Sequence, residues 1–205
     1  MRCLGRVAVA IARCDAEALD AALAECAEEP AAASDVVDAI LQGIPYSGFP
    51  GAIDALGRWS TLDGSVPAAQ WGSEAEGSAA DVGVANFSEV YGEVADRVRA
   101  ELERFHPELE RWIIEFAYGR VMGRSPLTLA DKEALGVASL LGQGRRRPLR
   151  SHVRGALRTG WEPQALLAYL EDLHPGRVEW SGLTGKEYLL IRGAWNGPVT
   201  IQASI

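Results

Sequence analysis

The chain has 205 residues, of which 48% are hydrophobic and 23% are charged, and its formal net charge is −8. These values are typical of a globular protein and argue against disorder. The length allows one large domain or two small ones, and the acidic charge disfavours a protein that binds nucleic acid through electrostatic attraction.

Cysteine use and hydropathy predict the compartment. The three cysteines, Cys3, Cys14 and Cys26, are too few for a disulfide framework and contain no Cys-x-x-Cys pair. The longest apolar run near the start, at 7–12, is shorter than a signal segment and far shorter than a membrane span. We therefore expect a cytoplasmic protein without a membrane partner.

The segment 1–59 shows apolar side chains at helical intervals of three and four. We predict two helices separated near Pro30, the second beginning with Ser34 as its N-cap and ending near Gln42. A turn rich in proline and aromatic residues follows at 44–50, and a further helix is predicted over 51–59.

The composition then changes at residues 60–84 to glycine, serine, aspartate and alanine without a clear period. An unstructured stretch of about 25 residues is long for a loop inside a compact domain. We interpret it as a linker between two halves, or as an arm or lid that packs on a neighbour.

Helical patterning resumes at Phe87 and continues almost to the end of the chain. The predicted helices cover residues 87–105, 107–122, 129–141, 148–160 and 163–173. Thr128 and Asp131 form a sequence similar to a capping box, and Pro148 suits the first position of a helix. Near the C-terminus, Asn196-Gly197 lies between two short apolar segments and predicts an edge hairpin or an extended tail.

An internal repeat is indicated when residues 7–45 are laid on 137–175, which align without a gap. Four pairs are identical: Val7/Val137, Ala8/Ala138, Leu19/Leu149 and Pro45/Pro175. The order of predicted helices also agrees. In this repeat alignment the first copy has Ala22 where the second has His152.

The sequence thus predicts an all-α fold: a helical bundle of two related repeats with a short extended or hairpin C-terminal tail. We expect a degenerate N-terminal repeat at 1–59, a linker or arm at 60–84, a helical domain at 85–174 and the tail at 175–205.

Two polar residues lie where helical geometry would direct them inward. Glu133 shares a helix face with Val137 and Leu140, and His152 lies at the edge of the next apolar stripe. A buried carboxylate must be partnered or protonated, and an imidazole on the following helix is a natural partner that can transfer protons near neutral pH. A solvated Glu133 and a structural His152 are the alternative interpretation, because ion-pair networks often imitate sites.

Other candidate residues surround this pair in sequence. Arg145 and Arg147 precede the His152 helix and could hold an anionic substrate or a neighbour's carboxylates, or form a solvated basic loop. Tyr46 lies in a compact aromatic turn that could equally serve packing. The chain has no glycine-rich phosphate loop, no nucleophile elbow and no metal-ligand cluster, so we expect no cofactor and no metal.

Four stretches resemble motifs of the carboxymuconolactone decarboxylase family, which belongs with the alkylhydroperoxidase D-like proteins. Residues 116–127 are similar to its helix end and R-P-x-L turn, and 129–141 to its R-E-L helix. Residues 149–160 are similar to L-x-x-H-x-x-x-A-L-x-x-G, and 46–50 to Y-x-G-x-P. The resemblance implies an all-helical protein that forms a homotrimer or homohexamer, with sites near subunit contacts.

The resemblance also implies which branch of the family applies. The peroxidase branch combines a glutamate, here Glu133, with two cysteines and two histidines. The cysteine positions correspond to Arg145 and Pro148, the first histidine to Arg147 and the last to His152. A thiolate-based peroxidase cycle therefore cannot run at this site.

The remaining pair is similar to the decarboxylase branch. That branch implies a cofactor-free lyase acting on a small anionic lactone-like metabolite, with His152 as the proton donor and Glu133 orienting it. Arg145 or Arg147 would neutralise substrate carboxylates, and Tyr46 would contact the substrate. Family decarboxylases often carry a histidine where this chain has Gln42, so the resemblance also implies that Gln42 is a substrate-binding residue. The alternative is a non-catalytic oligomeric relative that binds a ligand.

Overall fold

The computed structural model describes residues 1–28, 33–63 and 77–173, and this part of the chain is all-α, as predicted. The predicted break at Pro30 and the C-terminal tail lie outside the described residues. The helices are α1 (Arg2–Arg13), α2 (Ala16–Glu28), α3 (Ala33–Gln42), α4 (Ile44–Asp63), α5 (Ala79–Tyr91), α6 (Ala95–Phe105), α7 (Pro107–Trp112), α8 (Leu129–Gln143), α9 (Arg146–Thr159) and α10 (Pro163–Leu173).

Two groups of buried apolar side chains hold these helices together. The larger one joins α1–α4 to α8–α10, with α1 packed directly against α8 at its centre. The smaller one joins α5, α6 and the segment that follows α7, around Phe87 and Tyr118. Residues from the two ends of the described chain thus share one core.

The repeat alignment can be compared with the helix bounds. When position 7 is aligned with position 137, the starts of α2 and α9 fall at the same aligned position. The starts of α3 and α10 also coincide in this alignment, as do the ends of α1 and α8. The packing follows the same pattern, since α1 packs on α2 as α8 packs on α9, and α1 contacts α10 as α8 contacts α3.

Several element bounds differ from the sequence prediction. The helix predicted to resume at Phe87 begins at Ala79, where the Ser78 hydroxyl caps the Asp81 backbone amide, and its first turns are made of small residues that show little periodicity. The helix predicted to begin at residue 51 starts at Ile44 and bends at Gly48, whose φ of 75° breaks the helical path. Residues 60–63 and 79–84 of the predicted linker are therefore helical.

The predicted helix over 107–122 divides into two kinds of helix. It is α-helical from Pro107 to Trp112 and then π-helical over Ile113–Val121, a wider winding that is rare and frequently found at functional sites. Asn86 of α5 donates a hydrogen bond to the Tyr118 carbonyl at 2.8 Å, which ties this segment to α5.

A buried ionic cluster fixes the start of α8. The Lys132 ammonium and the Arg124 guanidinium lie 3.1 Å and 2.8 Å from the two oxygens of Asp38 on α3. Lys132 also donates to the carbonyls of Val121 and Arg124, and burial lowers the pKa of its ammonium. This cluster anchors α8, and Glu133 is the residue of α8 that follows Lys132.

Candidate proton-transfer site

The centre of the candidate site is a contact between α8 and α9. His152 Nδ1 lies 3.0 Å from Glu133 Oε2. The Glu133 side chain is fully buried, whereas 13% of the His152 side chain is exposed. The structure therefore brings the two predicted residues together within hydrogen-bonding distance.

This contact decides which atoms of the pair can react. An ionised carboxylate only accepts hydrogen bonds, so the proton of the contact belongs to His152 Nδ1 when Glu133 is charged. His152 Nε2 is then the nitrogen that can exchange a proton with another molecule. The second oxygen of Glu133, Oε1, is buried and has no hydrogen-bond partner among the described residues.

Tyr46 borders the pair from α4. Its ring centroid lies 5.5 Å from that of His152, with the rings edge to face at 73°. Burial raises the pKa of the Tyr46 hydroxyl well above its usual range, and the charge of Glu133 adds to this rise. Tyr46 therefore remains a protonated hydrogen-bond donor at neutral pH.

Two further tyrosines lie near Glu133 and were not singled out from the sequence. Burial, followed by the charge of Glu133, raises the pKa of Tyr91 to about 12. Burial also raises the pKa of Tyr118, with smaller contributions from Tyr91 and Glu133. Phe87 stacks on Tyr91 at 4.3 Å and meets Tyr118 edge-on at 4.9 Å. The spacing of four between Phe87 and Tyr91 was the signal that could have placed Tyr91 on the buried face of α5.

Gln42 lies close to the site but is bound to the scaffold. It is buried at the end of α3, and its Nε2 donates to the Lys132 carbonyl at 3.3 Å. A side-chain hydrogen bond with Gln42 also opposes, in part, the rise in the pKa of Tyr46. These contacts connect α3 to both Tyr46 and the residue that precedes Glu133.

The two arginines predicted to bind an anion lie at the start of α9. Arg145 precedes the first residue of that helix, and both Arg145 and Arg147 are exposed. The pKa of Glu101 is lowered mainly by the hydrogen bond from Arg104 and, to a smaller extent, by the charge of Arg147. The role of these arginines in substrate binding stays a prediction.

A cavity of about 470 Å³ lies between the start of α5, the π-helical segment and the junction of α3 and α4. Its lining includes Phe116, Arg120 and Arg124 but neither Glu133 nor His152. The described residues contain no group of three or more His, Cys, Asp or Glu side chains placed to hold a metal ion.

The three cysteines lie on α1, at its end and on α2. Cys3 and Cys26 are buried, and Cys14 is exposed at the end of α1.

Within the described ranges, no helix is both long enough and apolar enough to cross a bilayer.

Comparison with known proteins gives one distant similarity. The chain is 26% identical over 129 residues to a protein of Schizosaccharomyces pombe (strain 972 / ATCC 24843) described as "Peroxisomal protein 2". The match covers 60% of this chain and 59% of that protein, less than two thirds of either. No family model matches the chain. No solved structure matches it either.

Proposed function

We propose that the protein is a cofactor-free lyase of the carboxymuconolactone decarboxylase type, which uses Glu133 and His152 to protonate a small anionic lactone-like metabolite. The observation that carries the proposal is the contact of 3.0 Å between a fully buried carboxylate and a partly exposed imidazole. The resemblance of the motifs around these residues supplies the reaction class.

The pair supports this chemistry through a division of roles. In the reaction, the bond between the substrate's ring carbon and its carboxylate breaks, carbon dioxide leaves, and the electron pair stays behind as an enolate. The His152 imidazolium transfers the Nε2 proton to that carbon, while Glu133 holds the Nδ1–H and stabilises the cation before transfer. Tyr46 would donate a hydrogen bond to the substrate, and Arg145 or Arg147 would face its carboxylates.

The proposal includes the finer architecture. It assigns α1–α3 and α8–α10 to two related repeats, in line with their aligned helix bounds and their matching contacts. It also includes a homotrimer or homohexamer in the cytoplasm. The name of the distant relative refers to the peroxisome, so localisation of a fluorescent fusion would test the cytoplasmic assignment.

The test is a panel of carboxylated lactones assayed for release of carbon dioxide. Loss of general acid catalysis in His152→Gln should lower kcat about 10²- to 10⁴-fold, and Glu133→Gln should lower it as well. His106→Gln is the matched control, because His106 is exposed and only caps α7. Activity that survives both site substitutions would overturn the assignment of this site.

A second candidate is a non-catalytic oligomeric relative that binds a ligand. It is favoured by the cavity of about 470 Å³, which is lined by residues other than the pair. This candidate predicts no turnover of any lactone, together with ligand binding that Phe116→Ala weakens and His152→Gln leaves unchanged. Calorimetric titration of the same panel separates the two candidates.

A further inference from the structure

We propose that Gly136 and Gly155 are positioning residues of the candidate site. Each lacks a side chain, so a side chain of the site can lie directly against the backbone of its helix. This inference rests on the proposed function for what the site does. The geometry that it concerns can be measured without any substrate.

Gly155 makes room for Glu133. A Cβ atom added to Gly155 would collide with Glu133 Oε2 and would lie only 2.9 Å from both Glu133 Cδ and Val90 Cγ1. Glu133 and Val90 are both buried, with 0% and 1% of their surface exposed. The carboxylate therefore has no open space into which it could retreat, and even a methyl group on α9 would displace it from His152.

Gly136 has the same relation to Tyr46 and His152. A Cβ atom there would collide with the Tyr46 hydroxyl, lie 3.0 Å from its Cζ atom and lie 3.2 Å from His152 Nδ1. The hydroxyl and the imidazole nitrogen thus approach the same bare spot on α8. A side chain at this position would push both groups away from it.

The equivalent positions of the first copy show what happens where these glycines are replaced. The same offset of 130 residues, continued towards the N-terminus beyond the aligned range, places Arg6 at position 136, and within the range Glu25 corresponds to position 155. Arg6 Nη1 donates to Glu25 Oε1 at 2.7 Å, so long side chains fill the corresponding face between α1 and α2. There, the counterparts of Glu133 and His152 are Cys3 and Ala22. The glycines and the reactive pair therefore occur together in one half of the molecule and are both absent from the other.

The experiment reads the tautomer of His152 by ¹H–¹⁵N NMR above the usual imidazole pKa of about 6.5. The chain has three histidines, and His152 is assigned by comparison with His152→Gln. Wild type should hold His152 in the Nδ1–H form, because Glu133 accepts that proton. Gly155→Ala should lose this form to the same extent as Glu133→Ala, which has no side-chain acceptor for that proton. A loss of overall stability alone would not change the tautomer of His152.

Gly57→Ala is the matched control, since Gly57 lies in α4 and an added Cβ meets nothing within 4 Å. It should leave the tautomer unchanged and keep the Tm at or slightly above that of wild type, because alanine favours a helix over glycine, whereas Gly155→Ala lowers the Tm by about 4–10 °C. The Tm decrease should become smaller when Gly155→Ala is made in a Glu133→Ala background, where the colliding carboxylate is gone and the close contact with Val90 remains. Likewise, Tyr46→Phe should relieve part of the effect of Gly136→Ala.

The inference is overturned if Gly155→Ala keeps the wild-type Nδ1–H signal, or if its Tm decrease is the same with and without the Glu133 carboxylate. The second readout applies even when the single variant is too unstable for NMR. If the tautomer shifts but wild type decarboxylates no lactone, the proposed function fails and the positioning role stands. If wild type is active and Gly155→Ala has wild-type kcat and tautomer, the positioning role fails and the proposed function stands.

Discussion

Two faces of the molecule, equivalent in the repeat alignment, carry different pairs of charged or polar side chains. Between α1 and α2, Arg6 and Glu25 form an ion pair whose side chains are 42% and 31% exposed. Between α8 and α9, Glu133 is fully buried and contacts His152. The same arrangement of packed helices thus supports either a partly exposed ion pair or a contact between a buried carboxylate and an imidazole. The glycines at positions 136 and 155 determine which of the two arrangements forms, because a helix face without side chains leaves room for a carboxylate in the core.

The two sets of helices also differ in their buried charges. Asp38 and Lys132 join α3 to α8 inside the core, and the corresponding positions in the other half, Ala168 and Arg2, are both exposed. The half that carries the candidate site is therefore braced by buried charge. The equivalent contact between α1 and α10 is made by Arg6 and the partly buried Asp172.

The largest expected effect comes from removing this brace. Asp38→Ala leaves the Lys132 ammonium buried without its carboxylate, and we expect a loss of about 3–5 kcal/mol in the free energy of unfolding. Urea denaturation followed by circular dichroism measures it. Asp172→Ala is the control, because its partner Arg6 is partly exposed and keeps Glu25. Equal losses in the two variants would show that the two halves are not held differently.

A smaller effect is expected at alkaline pH. The pKa of Tyr91 is about 12 in the folded protein and about 10 in an unfolded chain. The unfolded state therefore loses the Tyr91 proton first as the pH rises from 10 to 12, and stability falls by about 2–3 kcal/mol over that window. Tyr91→Phe should flatten this part of the profile of unfolding free energy against pH. An unchanged slope in the variant would mean that Tyr91 ionises freely in the fold.

The smallest effect is expected on the face without the site. Arg6→Gln removes the ion pairs with Glu25 and Asp172, which water already screens, so stability should fall by no more than about 1 kcal/mol. Added salt should reduce the difference between variant and wild type further. Thermal unfolding at low and high ionic strength checks this. A loss as large as that of Asp38→Ala would remove the contrast between the two faces.

The sequence predicted the all-α fold and the contact of Glu133 with His152, because helical periodicity shows which face of a helix is buried. It also placed α10, whose start is marked by Pro163. It missed the start of α5 at Ala79, because the small residues there pack closely without forming an apolar stripe. The burial of Lys132 could not be predicted, since its partner Asp38 lies far away in the chain, on α3. The burial of Tyr118 was missed for another reason. The π-helical winding of Ile113–Val121 changes which side chains share a helix face, and α-helical periodicity does not describe that winding.

The packing of α1 against α8 has a consequence for how the protein is made. The whole stretch 14–128 separates these two neighbours in the chain, and a ribosome adds about 5–20 residues each second. Several seconds therefore pass between the synthesis of α1 and the synthesis of α8, which packs on its buried face. Contacts this distant in sequence also slow folding. The nascent chain is thus expected to depend on chaperones until α8 has left the ribosome.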